Sequence, residues 1–160
     1  MATQPTANAR DRPYPANIQE GRVESNALPP TGSTNRELYR VRASWLVDFF
    51  PDELVIQEKT VSVIRNQLLV SFVETMPVRD VGRVIYVDTP FFAGIHILGK
   101  SPAHEMRIRG LPKKGARYAK QLLDGLLLER SGDIEVPAWL DPDVRRHRLA
   151  DKGGAGALRR

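Results

Sequence analysis

The order of apolar and polar residues divides the chain into an arm, a short amphipathic stretch, a β-rich middle and a tail. From Met1 to Thr34 there is no apolar periodicity, and Pro5, Pro13, Pro15, Pro29 and Pro30 interrupt any helix, so residues 1–34 read as a disordered arm. Ser33 and Thr34 followed by Glu37 look like a helix start. Beyond them Leu38, Val41, Trp45, Leu46 and Phe49 recur at i, i+3, i+7, i+8 and i+11. That spacing predicts an amphipathic helix over 35–50, stopped by Pro51.

From Glu53 the period shortens to two. Leu54 and Ile56, Val61 and Val63, then Val70, Phe72, Glu74 and Met76 alternate with their neighbours, and β-branched and aromatic residues dominate. Breaks fall at Glu58-Lys59-Thr60, at Asn66-Gln67 and at Pro77. Further strands are expected at Gly82–Asp88, Ala93–Leu98 and Glu105–Arg109, with Thr89-Pro90 and Gly99–Pro102 between them. After Pro112 the period lengthens again. Ala116, Ala119, Leu122, Leu123, Leu126 and Leu127 predict a helix ending near Arg130, before Gly132. This leucine face needs burial against the preceding sheets. Residues 131–160 return to a tail composition, with Gly153, Gly154, Gly156 and a basic cluster at Arg145, Arg146, His147 and Arg148. They read as a flexible tail in which Trp139 either tucks back onto the domain or docks a partner.

The run Thr75-Met76-Pro77-Val78-Arg79-Asp80-Val81-Gly82-Arg83-Val84, followed by Asp88-Thr89-Pro90-Phe91-Phe92-Ala93-Gly94, resembles the bacterial pleckstrin-homology-like domains. Glu105–Pro112 leading into the leucine helix is similar to that family's last strand and closing helix. The likeness covers residues 52–130 and implies a barrel of about seven antiparallel strands in two near-orthogonal sheets, capped by a C-terminal helix. It implies a binding scaffold and no enzyme. In phosphoinositide-binding relatives the contacts come from basic residues on the first two strands. Lys59 and Arg65 are the nearest counterparts, but Arg65 is followed by Asn66, Gln67 and Leu68, so the second basic pair is missing.

Charge adds a partner class. Of the net +5, residues 53–130 hold most, with twelve basic groups against eight acidic. This leans toward anionic partners. Arg107 and Arg109 on one strand face, with Lys113, Lys114, Arg117 and Lys120 after it, can form a basic stripe, and the first five of these with Lys59 and Arg65 are the candidate anion contacts. Aromatic interleaving is thin, with Tyr118 alone among them, which disfavours nucleic acid. Candidate contacts for a partner or a membrane are Trp45, Phe49, Phe91, Phe92 and Trp139.

Catalytic chemistry is not written in the chain. There is no cysteine, hence no disulfide and no thiolate site. His96, His104 and His147 lack metal-site spacing, so no metal and no cofactor is expected. Gly110–Gly115 lacks the Lys-Ser/Thr ending of a phosphate loop, Ser62 and Ser71 lie in no nucleophile elbow, and Asp80 and Asp88 read as turn caps. The expectation is an interaction module with a protein partner. The alternative is a peripheral membrane adaptor using the 37–50 helix and the basic face on anionic lipid, and that helix also offers a route to homo-oligomers. No apolar run is long enough to cross a bilayer and no secretory leader is apparent, so a cytoplasmic location is expected, with the inner membrane face as the alternative.

Overall fold

The computed structural model describes residues 35–46, 49–101 and 103–157. The arm expected over 1–34 and its helix start at Ser33 and Thr34 lie outside the described residues. Among those described, β1 (Glu37–Arg42), β2 (Glu53–Gln57), β3 (Thr60–Asn66) and β4 (Ser71–Pro77) form one antiparallel sheet in that order. A 3-10 turn at Val78–Asp80 leads to β5 (Val81–Asp88), β6 (Ala93–Gly99) and β7 (Glu105–Leu111), which form a second antiparallel sheet. Two helices follow, α1 (Lys113–Ser131) and α2 (Pro142–Ala157). The architecture is therefore mainly β with two helices, and the strands from β2 to β7 fall where the alternation predicted them.

The amphipathic helix expected over 35–50 does not form. Residues 37–42 are β1, paired with β2, and the rest is loop. A bulge explains the misleading period. Glu37 opposes Gln57 and Tyr39 opposes Ile56, so Leu38 is an extra residue in β1. Leu38 and Val41 are both buried although three apart, because the bulge resets which face the strand presents. A bulged strand thus imitates one turn of helical spacing.

The core lies between the two sheets and α1. Leu54, Ile56, Val61 and Val63 come from the first sheet, Ile95, Ile97, Met106 and Ile108 from the second. Ala116, Ala119, Leu122, Leu123 and Leu126 of α1 are buried with them, as the leucine period required. Pro112 caps the N-terminus of α1, and Gly132 ends it in the left-handed region at φ 83°. There Gly132 N–H donates to Glu129 O and Asp133 N–H to Leu128 O, which closes the last turn.

Nor is 131–160 a flexible tail. Asp141 Oδ1 accepts from Asp143 N–H at 2.9 Å, Pro142 takes the first helical position, and α2 runs on to Ala157 against α1. Arg145, placed by sequence in an exposed basic cluster, is buried. Its guanidinium donates to both Glu129 oxygens at 2.9 and 2.8 Å and to Val136 O, and its Nε lies 3.3 Å from Glu58 Oε1. One side chain therefore ties α2 to α1 and to the β2–β3 turn.

Candidate docking end

Three loops emerge at one end of the sheets, and backbone hydrogen bonds fix them there. In the β1–β2 loop, Ala43 N–H donates to Asp52 O, and Ser44 N–H donates to Gly110 O at the end of β7. Asn66 Nδ2 donates to Pro51 O at 2.9 Å, which joins that loop to the β3–β4 turn. The β5–β6 loop follows from the pairing of Ala93 with Leu111, one residue from Gly110. Thr89 closes it by donating from its N–H and its hydroxyl to Phe92 O.

These loops carry large apolar side chains outward. Trp45 and Leu46 are each 69% exposed and Phe49 90% in the first loop, Leu69 is 90% exposed in the second, and Phe91 is 83% exposed in the third. The Phe91-Phe92 pair splits, with Phe91 outside and Phe92 half-buried. Leu68, Val70, Phe72 and Val73 extend the exposed set along the β3–β4 turn and β4. These five were missed by the sequence reading when Leu69 is counted with them. Their signal was Leu68-Leu69-Val70, three consecutive apolar residues that a period of two cannot place on one face.

A collar of charge surrounds this end. Asp88 Oδ1 lies 2.9 Å from Lys113 Nζ, with Arg117 behind it at 3.9 Å, and these cations, the Lys113 hydrogen bond first, hold the Asp88 carboxyl below its ordinary range. Arg117 also stacks over Tyr86 at 5.9 Å. Glu53 is buried between Arg40 and Arg42. Desolvation would raise its pKa, but the hydrogen bonds and charges of the two arginines outweigh that and lower it. Arg65 pairs with Glu74, whereas Arg107 pairs with Glu105 at the start of β7, away from this end. Arg109 and Lys114 are exposed and form no ion pair among the described residues.

The structure thus brings together Trp45, Phe49, Phe91, Arg65, Arg109, Lys113, Lys114 and Arg117. Lys59 is not with them. It lies in the β2–β3 turn, and Arg65 follows six residues later on β3, a separation of about 20 Å at about 3.3 Å per residue. The two therefore form no common anion site. Trp139 is also elsewhere. It is 82% exposed, so it does not tuck back, and the residues that do are Val136 and Leu140. Ala138 O beside it accepts from Arg36, which pairs with Glu58 at the β2–β3 turn.

Tyr118 is packed edge-on against Tyr39 at 4.9 Å and is half-buried, which removes the aromatic of the supposed basic stripe. Asp80 and Asp88 stand at opposite ends of β5 and form no carboxylate pair. Ser62 bonds Thr75 across the ladder at 2.9 Å. Among the described residues no group of three or more His, Asp or Glu side chains is placed to hold a metal, and no helix is long and apolar enough to cross a membrane.

The class these observations define is a mainly β protein of two antiparallel sheets and two helices, with exposed apolar side chains on three loops at one end. No protein family matches the chain, and no curated protein is similar to it at a significant level.

Proposed function

We propose that this chain is a non-enzymatic adaptor of pleckstrin-homology-like plan that rests its three-loop end on an anionic membrane surface. Four strands, then three, then a helix following the last strand support the plan. The observation that carries the membrane reading is the near-complete exposure of Phe49, Leu69 and Phe91 on three separate loops at one end. Side chains that stand so far off their own surface leave most of their area for insertion into an interface. The anchoring expected of a 37–50 helix passes to the β1–β2 loop, where Trp45 and Phe49 sit. Three apolar tips at about 1.5–3 kcal/mol each when buried, with two free cations at about 1 kcal/mol each, reach the range of micromolar binding before orientation costs.

Flotation of the full chain with vesicles of phosphatidylcholine, with and without phosphatidylserine, tests this. The chain is expected to float with the anionic vesicles and to come off as salt rises. The chain has two tryptophans, so Trp139→Phe leaves Trp45 to report insertion by a blue shift. A chain that stays in the bulk at low salt refutes the reading. The protein-partner reading is favoured by a different feature, the open edge of β5.

A further inference from the structure

We infer that the outer edge of β5 is a second binding site, which takes an acidic extended peptide as an added strand. β5 is an outer strand, paired to β6 on one side only. No backbone hydrogen bond from residues 82–87 leaves that ladder among the described residues. Unpaired strand edges recruit further strands unless they are covered or charged against it. The edge of β1 is partly covered, since α2 packs beside it and Arg146 donates to Leu38 O. α1 packs against β5 as well, but among the described residues no side chain bonds the backbone of residues 82–87. Between strand and helix lies a groove of about 630 Å³, with Val81–Tyr86 along one wall and Leu127 and Leu128 of α1 on the other. That volume lies within the range of ligand-binding clefts.

Charge selects the occupant. Lys120 in the groove is paired to Asp124, and Arg130 donates to Val78 O at 3.0 Å. Arg83 and Lys100, which also line it, are exposed and make no ion pair among the described residues. Of the lining charges without an ion pair among the described residues, Arg83, Lys100 and Arg130 are positive and Asp133, which accepts from Ser131 Oγ, is the one negative, so the balance matches an acidic strand. The edge of β4 is also open, but the cavity beside it has Lys100 as its one cation, shared with the β5 groove, and Glu74, Asp80 and Glu105 each have an arginine partner, so its preference is weaker. Backbone ladder bonds give the affinity, and alternate side chains meet either the leucine wall or the two cations.

The test uses the full chain and a blocked peptide of alternating valine and glutamate, followed by fluorescence anisotropy. Two further peptides carry N-methyl groups on alternate amides, each blocking one edge of the strand. Strand addition uses a single edge, so one methylated peptide should lose about tenfold or more in affinity while the other keeps it. A valine–lysine peptide should bind more weakly, and Arg83→Glu with Lys100→Glu should reverse that order. Both side chains are exposed, so this variant is expected to fold. Equal binding of the two methylated peptides, no binding of the glutamate peptide, or indifference to the double variant overturns the proposal. Serine at Phe49, Leu69 and Phe91 should leave peptide binding unchanged, which separates this site from the membrane reading.

Discussion

Gly153 of α2 lies so close to α1 that a Cβ there would stand 2.0 Å from the carbonyl oxygen of Gln121. The contact is reciprocal, because a Cβ at Gly125 would stand 2.0 Å from Leu149 O. The two helices meet backbone to backbone, so these glycines serve close approach and not chain flexibility. Gly153→Ala and Gly125→Ala should each destabilise the fold by about 1–3 kcal/mol, overpacking outweighing the helix propensity alanine gains. Gly154→Ala is the control. Its added Cβ would meet only the far end of the Gln121 side chain at 3.1 Å, and it should be neutral or slightly stabilising. Urea melts of the three variants decide this, and equal effects at all three positions would refute the close crossing.

Arg145 carries a larger weight. Removing one partner of a buried ion pair leaves an uncompensated charge, and here two carboxylates, Glu58 and Glu129, lose their shared cation. Arg145→Ala should therefore cost about 3–5 kcal/mol. Arg148→Ala, on the same helix but exposed, should cost less than about 0.5 kcal/mol. Comparable midpoints for the two variants in denaturant would show that α2 is not held by this clamp.

Strands and the leucine helix were legible because their periods are clean and most of their breaks carry Pro, Gly or Asn. β1 was not, since its bulge places Leu38 and Val41 on one face at helical spacing. α2 was not either, although Asp141-Pro142 is a helix start. Of the glycines that looked like tail composition, Gly153 is the position where the backbone of α1 comes too close for a side chain. Of the candidate site, the aromatic tips at Trp45, Phe49 and Phe91 were readable as apolar residues in polar company. Their convergence was not, because it depends on Asn66 reaching Pro51 and Ser44 reaching Gly110, contacts between segments distant in sequence. The same long-range pairing separates Lys59 from Arg65.

Acid should weaken the fold in part through Glu53. Its pKa is lowered in the folded chain, so the unfolded chain binds a proton more readily there. The contribution is fully present above the ordinary glutamate value, near about 4.3, and is lost as pH falls through the lower folded value. Glu53→Gln removes this linkage. Its stability should fall less steeply than that of the wild type below about pH 4, while lying beneath it at neutral pH. Parallel stability curves for the two proteins from neutral to acid pH would show that the Arg40–Glu53–Arg42 cluster does not act this way.

The bulged strand and the exposed loop make opposite demands on residues that one helix would have treated alike. Leu38 is buried in the core, so Leu38→Ala should cost about 2–5 kcal/mol. Trp45 and Phe49 make little contact with the core, so Trp45→Ala and Phe49→Ser should shift stability by less than about 0.5 kcal/mol. Vesicle binding should show the reverse order, with Phe49→Ser weakening flotation on phosphatidylserine vesicles and Leu38→Ala leaving it intact while the protein remains folded. Thermal melts and flotation on the same three variants separate the alternatives. If Trp45→Ala and Leu38→Ala destabilise equally, the two side chains share one packed face and the loop does not stand free. If Phe49→Ser binds vesicles as well as the wild type, the loop end is not the surface that meets lipid.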